Sequence, residues 1–178
     1  MYQEIISFWF SGIDPKSWWS ADPSFDALVR ARFSETLDRA SRAELYGWRA
    51  APLGRLAEVL VLDQFSRNIH RNTPRAFAQD SLALALAQEA VLAGAAAILK
   101  PIERNFLYMP FMHSESRVIH VWAESLFLNN GLEANYKFEL RHKAIIDRFA
   151  RYPHRNEMLG RVSTEEELAF LQEPGASF

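Results

Sequence analysis

The stretch MPFMHSES puts His113 two residues before Glu115. Two further stretches, DQFSRNIHRN at 63–72 and DRFARYPHRN at 147–156, crowd acid, arginine, histidine and asparagine together. An imidazole exchanges its proton near neutrality, a carboxylate can orient it, and the planar guanidinium fork reads a carboxylate or phosphate through two parallel bonds. In one reading Arg67, Arg151 and Arg155 outnumber Asp63 and Asp147 and hold a small anionic ligand, a carboxylate or phosphate, with Gln64, Asn68 and Asn156 as neutral donors. In a second, His113 or His154 is the general base of a hydrolase and Glu115 or Asp63 orients it. In a third, the polar cluster is structural and the protein is a module for protein or peptide interaction.

Both long stretches read D-x-F-x-R-x-x-H-R-N, with the acid four residues before the arginine. On a helix that is a favourable ion pair, worth about 0.3–0.5 kcal/mol if exposed. The first copy extends straight from the apolar run LAEVLVL, so Asp63 and Gln64 are carried towards the interior, where charged groups need partners. The residues that follow the copies, TPRAFAQD and EMLGRVST, share nothing, which argues against an internal repeat. Asp63, Arg67, Asp147 and Arg151 are expected in one neighbourhood, as two different walls of it.

Metal binding is not expected. His113 and Glu115 could ligate with His142 and His154, but a spacing of two sends neighbours to different faces of a helix, and no H-E-x-x-H occurs. With no G-x-S-x-G elbow, P-loop or G-x-G-x-x-G, no cofactor is expected either. The aromatic clusters FWF and SWW read as core or helix-packing residues rather than the floor of a ligand groove.

The elements that would position these side chains are helices. Asp22 caps a helix with Pro23 at its first position, PLGRLAEVLVLDQFSRN is a central helix, and Thr73-Pro74 opens another that stops at Gly94. A helix entered at Pro101 is interrupted at Pro110, a second starts near Ser114 and closes at Gly131, and a third carries His142, Ile145, Ile146 and Phe149 inward until Pro153. Ser163 and Glu166 have the spacing of a capping box. The expected fold is an all-α compact bundle of about seven to eight helices, a single domain over 1–178 with no linker long enough to divide it.

Composition bounds the partners. A net charge of −2 gives no global attraction to nucleic acid or to an anionic membrane, and the absence of cysteine excludes thiol chemistry. The opening MYQEIISFWFSG lacks a basic region, and no run approaches the roughly 20 apolar residues of a membrane span, so a soluble cytoplasmic protein is expected.

Taken in order, FWF, WW, FD, LDQFSRNIHRNTPRAFAQD, FLYMPFMHSE, IIDRFARYPHRN, LGR and STEEELAFL resemble the bacterial domain-of-unknown-function family 924 over essentially the whole chain. The resemblance implies an all-helical fold of tetratricopeptide-like helical hairpins. It also implies that Asp63, Gln64, Arg67, Asn68, His113, Glu115, His142, Arg151, His154, Arg155, Asn156 and Arg161 are the shared polar positions. His70 and Asn72 depart from the family pattern R-N-I-Y-R-G, and the likeness of the two copies rests partly on them.

Overall fold

The computed structural model describes residues 1–176, and among these every regular element is helical. In chain order they are α1 (Tyr2–Ser11), α2 (Pro23–Ser41), α3 (Pro52–Leu60), α4 (Ser66–Ile69), α5 (Asp80–Leu92), α6 (Ala95–Ile98), α7 (Pro101–Met112), α8 (Arg117–Asn130), α9 (Glu133–Phe149) and α10 (Glu165–Phe170). A π turn, Val61–Phe65, joins α3 to α4, so they form one rod and the described residues hold nine helices, slightly more than the sequence pattern implies. Every side chain of this rod from Leu56 to Ser66 is buried, as the apolar run predicts for a central helix. α1, α5 and α7 pack on α3, while α2 packs on the π turn and α4; α8 lies against both α7 and α9.

Phe8, Trp9, Phe33, Phe65 and Phe106 meet in the main core, with ring centres 4.9 Å apart for Phe8–Phe33 and 5.4 Å for Trp9–Phe65. Trp18 closes its edge at 5.0 Å from Phe106. Phe8, Trp9 and Trp18 are therefore packing residues, while Trp19 is 57% exposed.

Several helix ends differ from the sequence pattern. Asp22 caps α2 as expected, accepting from Ser24 N at 2.8 Å. Pro74, however, opens only a 3-10 turn (Pro74–Phe77), and α5 starts afresh at Asp80. α7 runs through Pro110 to Met112, because a proline so near the end of the helix removes one bond and little else. α9 stops at Phe149, before Pro153, with Ala150 in the left-handed region at φ 57. The capping box of α10 is one residue later than predicted, on Thr164 and Glu167, since Ser163 is engaged by the Asn156 amide.

The start of the central rod depends on one glycine. A Cβ at Gly54 would sit 2.0 Å from the Trp48 carbonyl oxygen, so backbone would have to move. Alanine normally stabilises a helix interior over glycine by about 1 kcal/mol. Gly54→Ala is expected to do the reverse and destabilise by about 1–3 kcal/mol in urea unfolding, the cost of overpacking a core.

Candidate functional site

Asp63 lies in the π turn, and its side chain is only 1% exposed. π turns bend the hydrogen-bond ladder and recur at functional sites. Its carboxylate takes three partners: His113 Nδ1 at 2.7 Å, Arg67 Nη1 at 3.1 Å and the Gln64 amide at 2.5 Å. Burial pushes this carboxyl up, yet Arg67, His113 and Gln64 together hold it well below the usual carboxylate range. Asp63 is therefore an ionised acid in the core, and it orients His113.

His113 ends α7, where Met112 gives way to the Ser114–Ser116 connection. Its ring is 13% exposed, and its only hydrogen bond among the described residues is the one from Nδ1 to Asp63. Burial, reinforced by Arg67, pushes its pKa down against the pull of Asp63. The ring is neutral at neutral pH, with Nδ1–H donating to Asp63 and Nε2 able to accept a proton.

The arginines divide sharply. Arg67 is bidentate to Asp80 at 2.9 and 3.0 Å, Arg161 to Glu115 at 2.6 and 2.9 Å, and Arg151 to Glu167 at 2.5 and 2.7 Å. The arginine surplus expected from the two motifs is thus absorbed by Asp80 and Glu167, carboxylates outside both motifs. Arg155 is different. Its Nη1 donates to Asp80 at 3.2 Å, and its guanidinium lies 4.6 Å from the ring centres of both Phe77 and Tyr152. Its Nε is buried with no hydrogen-bond partner among the described residues.

Tyr152 joins the walls. Its ring lies 5.7 Å from His142 and 5.5 Å from His154, its N–H donates to Glu115 at 2.7 Å, and its carbonyl accepts from Arg161. Burial lowers the pKa of His142 to about 3 and of His154 to about 4, with Arg155 adding to the effect on His154. Glu115 is pushed up by burial but held down overall by Arg161 and the Tyr152 N–H. Asn156 continues the network, accepting from Arg161 at 2.9 Å.

Asp63, Gln64, Arg67, His113, Glu115, His142, His154, Arg155, Asn156 and Arg161 therefore belong to one network of contacts and mutual fields around Tyr152. Asn68 does not. It turns to α2 and donates to Asp26, which Arg71 also grips. Arg151 serves the edge, tying the end of α9 to α10 through Glu167. The expectation that Asp147 and Arg151 join Asp63 and Arg67 fails: Asp147 pairs with Lys143 at 2.5 Å on the exposed side of α9. The helix ends between Asp147 and Arg151, so their spacing of four no longer brings them together.

Pattern reading missed Asp80, Phe77, Tyr152, His120 and Glu139. Asp80 and Tyr152 stand inside or beside the motifs and could have been weighed as partners for the arginines; nothing local marks Glu139. Among the described residues no group of three or more His, Asp or Glu side chains could hold a metal ion, and no helix is long and apolar enough to cross a membrane. A groove of about 420 Å³ lined by Tyr2, Ile6, Phe10, Trp18, Ile102 and Glu103 contains none of the site residues.

The geometry defines an all-helical protein built round a buried aspartate–histidine–arginine cluster. Residues 5–175 match the family described as "Bacterial protein of unknown function (DUF924)", and the chain belongs to that family. A solved structure, of the protein of unknown function ATU0120 from Agrobacterium tumefaciens, is 35% identical, covers 96% of each chain and has a TM-score of 0.92. No curated protein matches the chain.

Proposed function

We propose that the cluster round Tyr152 binds a small anionic ligand, a carboxylate or phosphate, with Arg155 as its reader. One observation carries this: Arg155 is 6% exposed and the Nε on one edge of its guanidinium has no hydrogen-bond partner among the described residues, whereas Arg67, Arg151 and Arg161 are each closed by a carboxylate. A buried donor left unpaired costs about 1–3 kcal/mol, more for a charged group. An anion that meets this edge removes the penalty and brings the only bidentate partner that Arg155 lacks.

Ligand binding raises stability by about 2.7 kcal/mol at a hundred times Kd. Inorganic phosphate or acetate is therefore expected to raise the melting temperature of the wild type and of the exposed control Arg42→Gln, and to leave Arg155→Met unmoved. Equal shifts in Arg155→Met and wild type would sink the assignment.

A hydrolase is the second reading, and the 2.7 Å contact between Asp63 and His113 favours it. An acid that holds Nδ1–H and leaves Nε2 to take a proton is the arrangement of an oriented general base. In that reading His113 takes a proton from water as the oxygen attacks the bound ester or amide, and returns it to the leaving group. Asp63 is the orienting acid, since Glu115 is clamped by Arg161.

A further inference from the structure

His113 sits between two carbonyls gripped by one buried chain of side chains. Tyr152 Oη donates to Met112 O at 2.5 Å, and His120 Nε2 stands 2.9 Å from Ser114 O. On the other edge of the same ring, His120 Nδ1 is 2.7 Å from Glu139 Oε1, and both side chains are wholly buried.

The acceptors alone allow the protons to be counted. A carbonyl has none to give, so His120 Nε2 carries the hydrogen shared with Ser114 O. Tyr152 has a single hydroxyl hydrogen, and its short bond to Met112 O uses it, so the 3.2 Å contact with His120 Nε2 cannot supply another. Nδ1 and Oε1 then need a proton between them, because two lone pairs 2.7 Å apart would repel. Whether written as imidazole with carboxylic acid or as imidazolium with carboxylate, the pair holds one proton more than an unfolded chain at neutral pH.

The surroundings agree. Glu139 Oε2 is buried with no hydrogen-bond partner among the described residues, which a neutral acid tolerates better than a carboxylate. Burial pushes the Glu139 carboxyl up, against the pull of His120; Glu124 adds to the rise and Lys143 opposes it. Arg155, Glu115 and Arg67 face the Tyr152 side, where the rings of His142 and His154 also pack, 5.7 and 5.5 Å from Tyr152, and His142 lies in the field of His120.

We infer that Glu139 and His120 hold one buried proton between them and that, with Tyr152, they act as positioning residues for His113, through the Ser114 carbonyl that His120 holds and the Met112 carbonyl that Tyr152 holds. This rests on His113 being part of the functional site. An unfolded imidazole loses its proton near about 6.5. The folded pair keeps its own, so the stability it contributes is present below that range and is lost as pH rises, by about tenfold in the folding constant per pH unit.

Two variants separate the two halves of the inference. Glu139→Gln can donate to Nδ1 but has no proton to lose, so urea unfolding of wild type is expected to weaken relative to this variant by about tenfold per pH unit above about pH 6.5. Parallel curves for the two proteins overturn the shared proton. Tyr152→Phe removes the grip on Met112 O and leaves the pair intact. It is expected to keep the wild-type slope and to move the His113 imidazole resonance in NMR; an unmoved resonance overturns the positioning role. Both readouts are taken without ligand, so failure of phosphate to bind tells against the ligand assignment alone.

Discussion

Acidifying the protein from about pH 7 to about pH 4.5 is expected to remove about 3–5 kcal/mol of stability through His142 and His154. An unfolded imidazole takes up a proton near about 6.5. In the fold, burial holds His142 neutral to about 3, and burial with Arg155 holds His154 neutral to about 4. Between these values the unfolded chain binds more protons than the folded one, so the histidines' contribution is whole above about 6.5 and is lost as pH falls. His113, lowered by burial and Arg67, adds in the same direction, and Glu139, raised by burial, opposes it only above the unfolded carboxyl range. Folded domains have about 5–15 kcal/mol to lose, so the loss is large. Urea unfolding at the two pH values measures it, and His154→Gln should flatten the curve. A wild-type stability that does not change over this range would contradict neutral histidines in the cluster.

The second large effect falls on Asp63. Asp63→Ala removes the acceptor shared by His113 Nδ1, Arg67 and Gln64, all in a setting where water does not substitute. Breaking a buried ion pair from one side costs about 3–5 kcal/mol, because the surviving charge is left uncompensated. Asp80 still holds Arg67 by two bonds, which places the expected loss at the lower end, about 3 kcal/mol. Asp63→Asn keeps an oxygen for His113 and should cost less. Chemical denaturation of both variants checks the order, and a double-mutant cycle with Arg67→Met measures the coupling directly. A loss under about 1 kcal/mol for Asp63→Ala would mean that the carboxylate is an exposed, weak partner.

Much of the fold could be read in advance because its signals are local. Asp22-Pro23 caps α2, Gly131 closes α8 in the left-handed region, and the unbroken apolar run before Asp63 marks the central rod. The errors fall where a local signal competes with a tertiary one. Pro153 looked like the end of α9, but Ala150 had already turned the chain; Ser163 looked like a cap, but Asn156 claimed its hydroxyl. The site was legible as a set of residues and not as a set of pairs. Spacing placed Asp63 beside Arg67, since both lie on one helix, but it gave the wrong partner to Arg151 and had no means of finding Glu139 or Glu167. Those choices are made by helices that meet in space, and the difference matters to function. The motifs read as an excess of guanidinium, whereas the fold closes Arg67, Arg151 and Arg161 with carboxylates and leaves the Arg155 Nε without a hydrogen-bond partner among the described residues.

The neutral histidines and Arg155 give that claim a direct readout. Inorganic phosphate titrated into the wild-type protein, followed by NMR of the histidine rings and the arginine side chains, should move the resonances of His113, His154 and Arg155 along one saturating curve. His70, which caps the C-terminus of α4 beside Arg75 and makes no contact with Arg155 among the described residues, should stay where it is. Resonances at the cluster that do not move, or that move in step with His70, would contradict an anion site at Arg155.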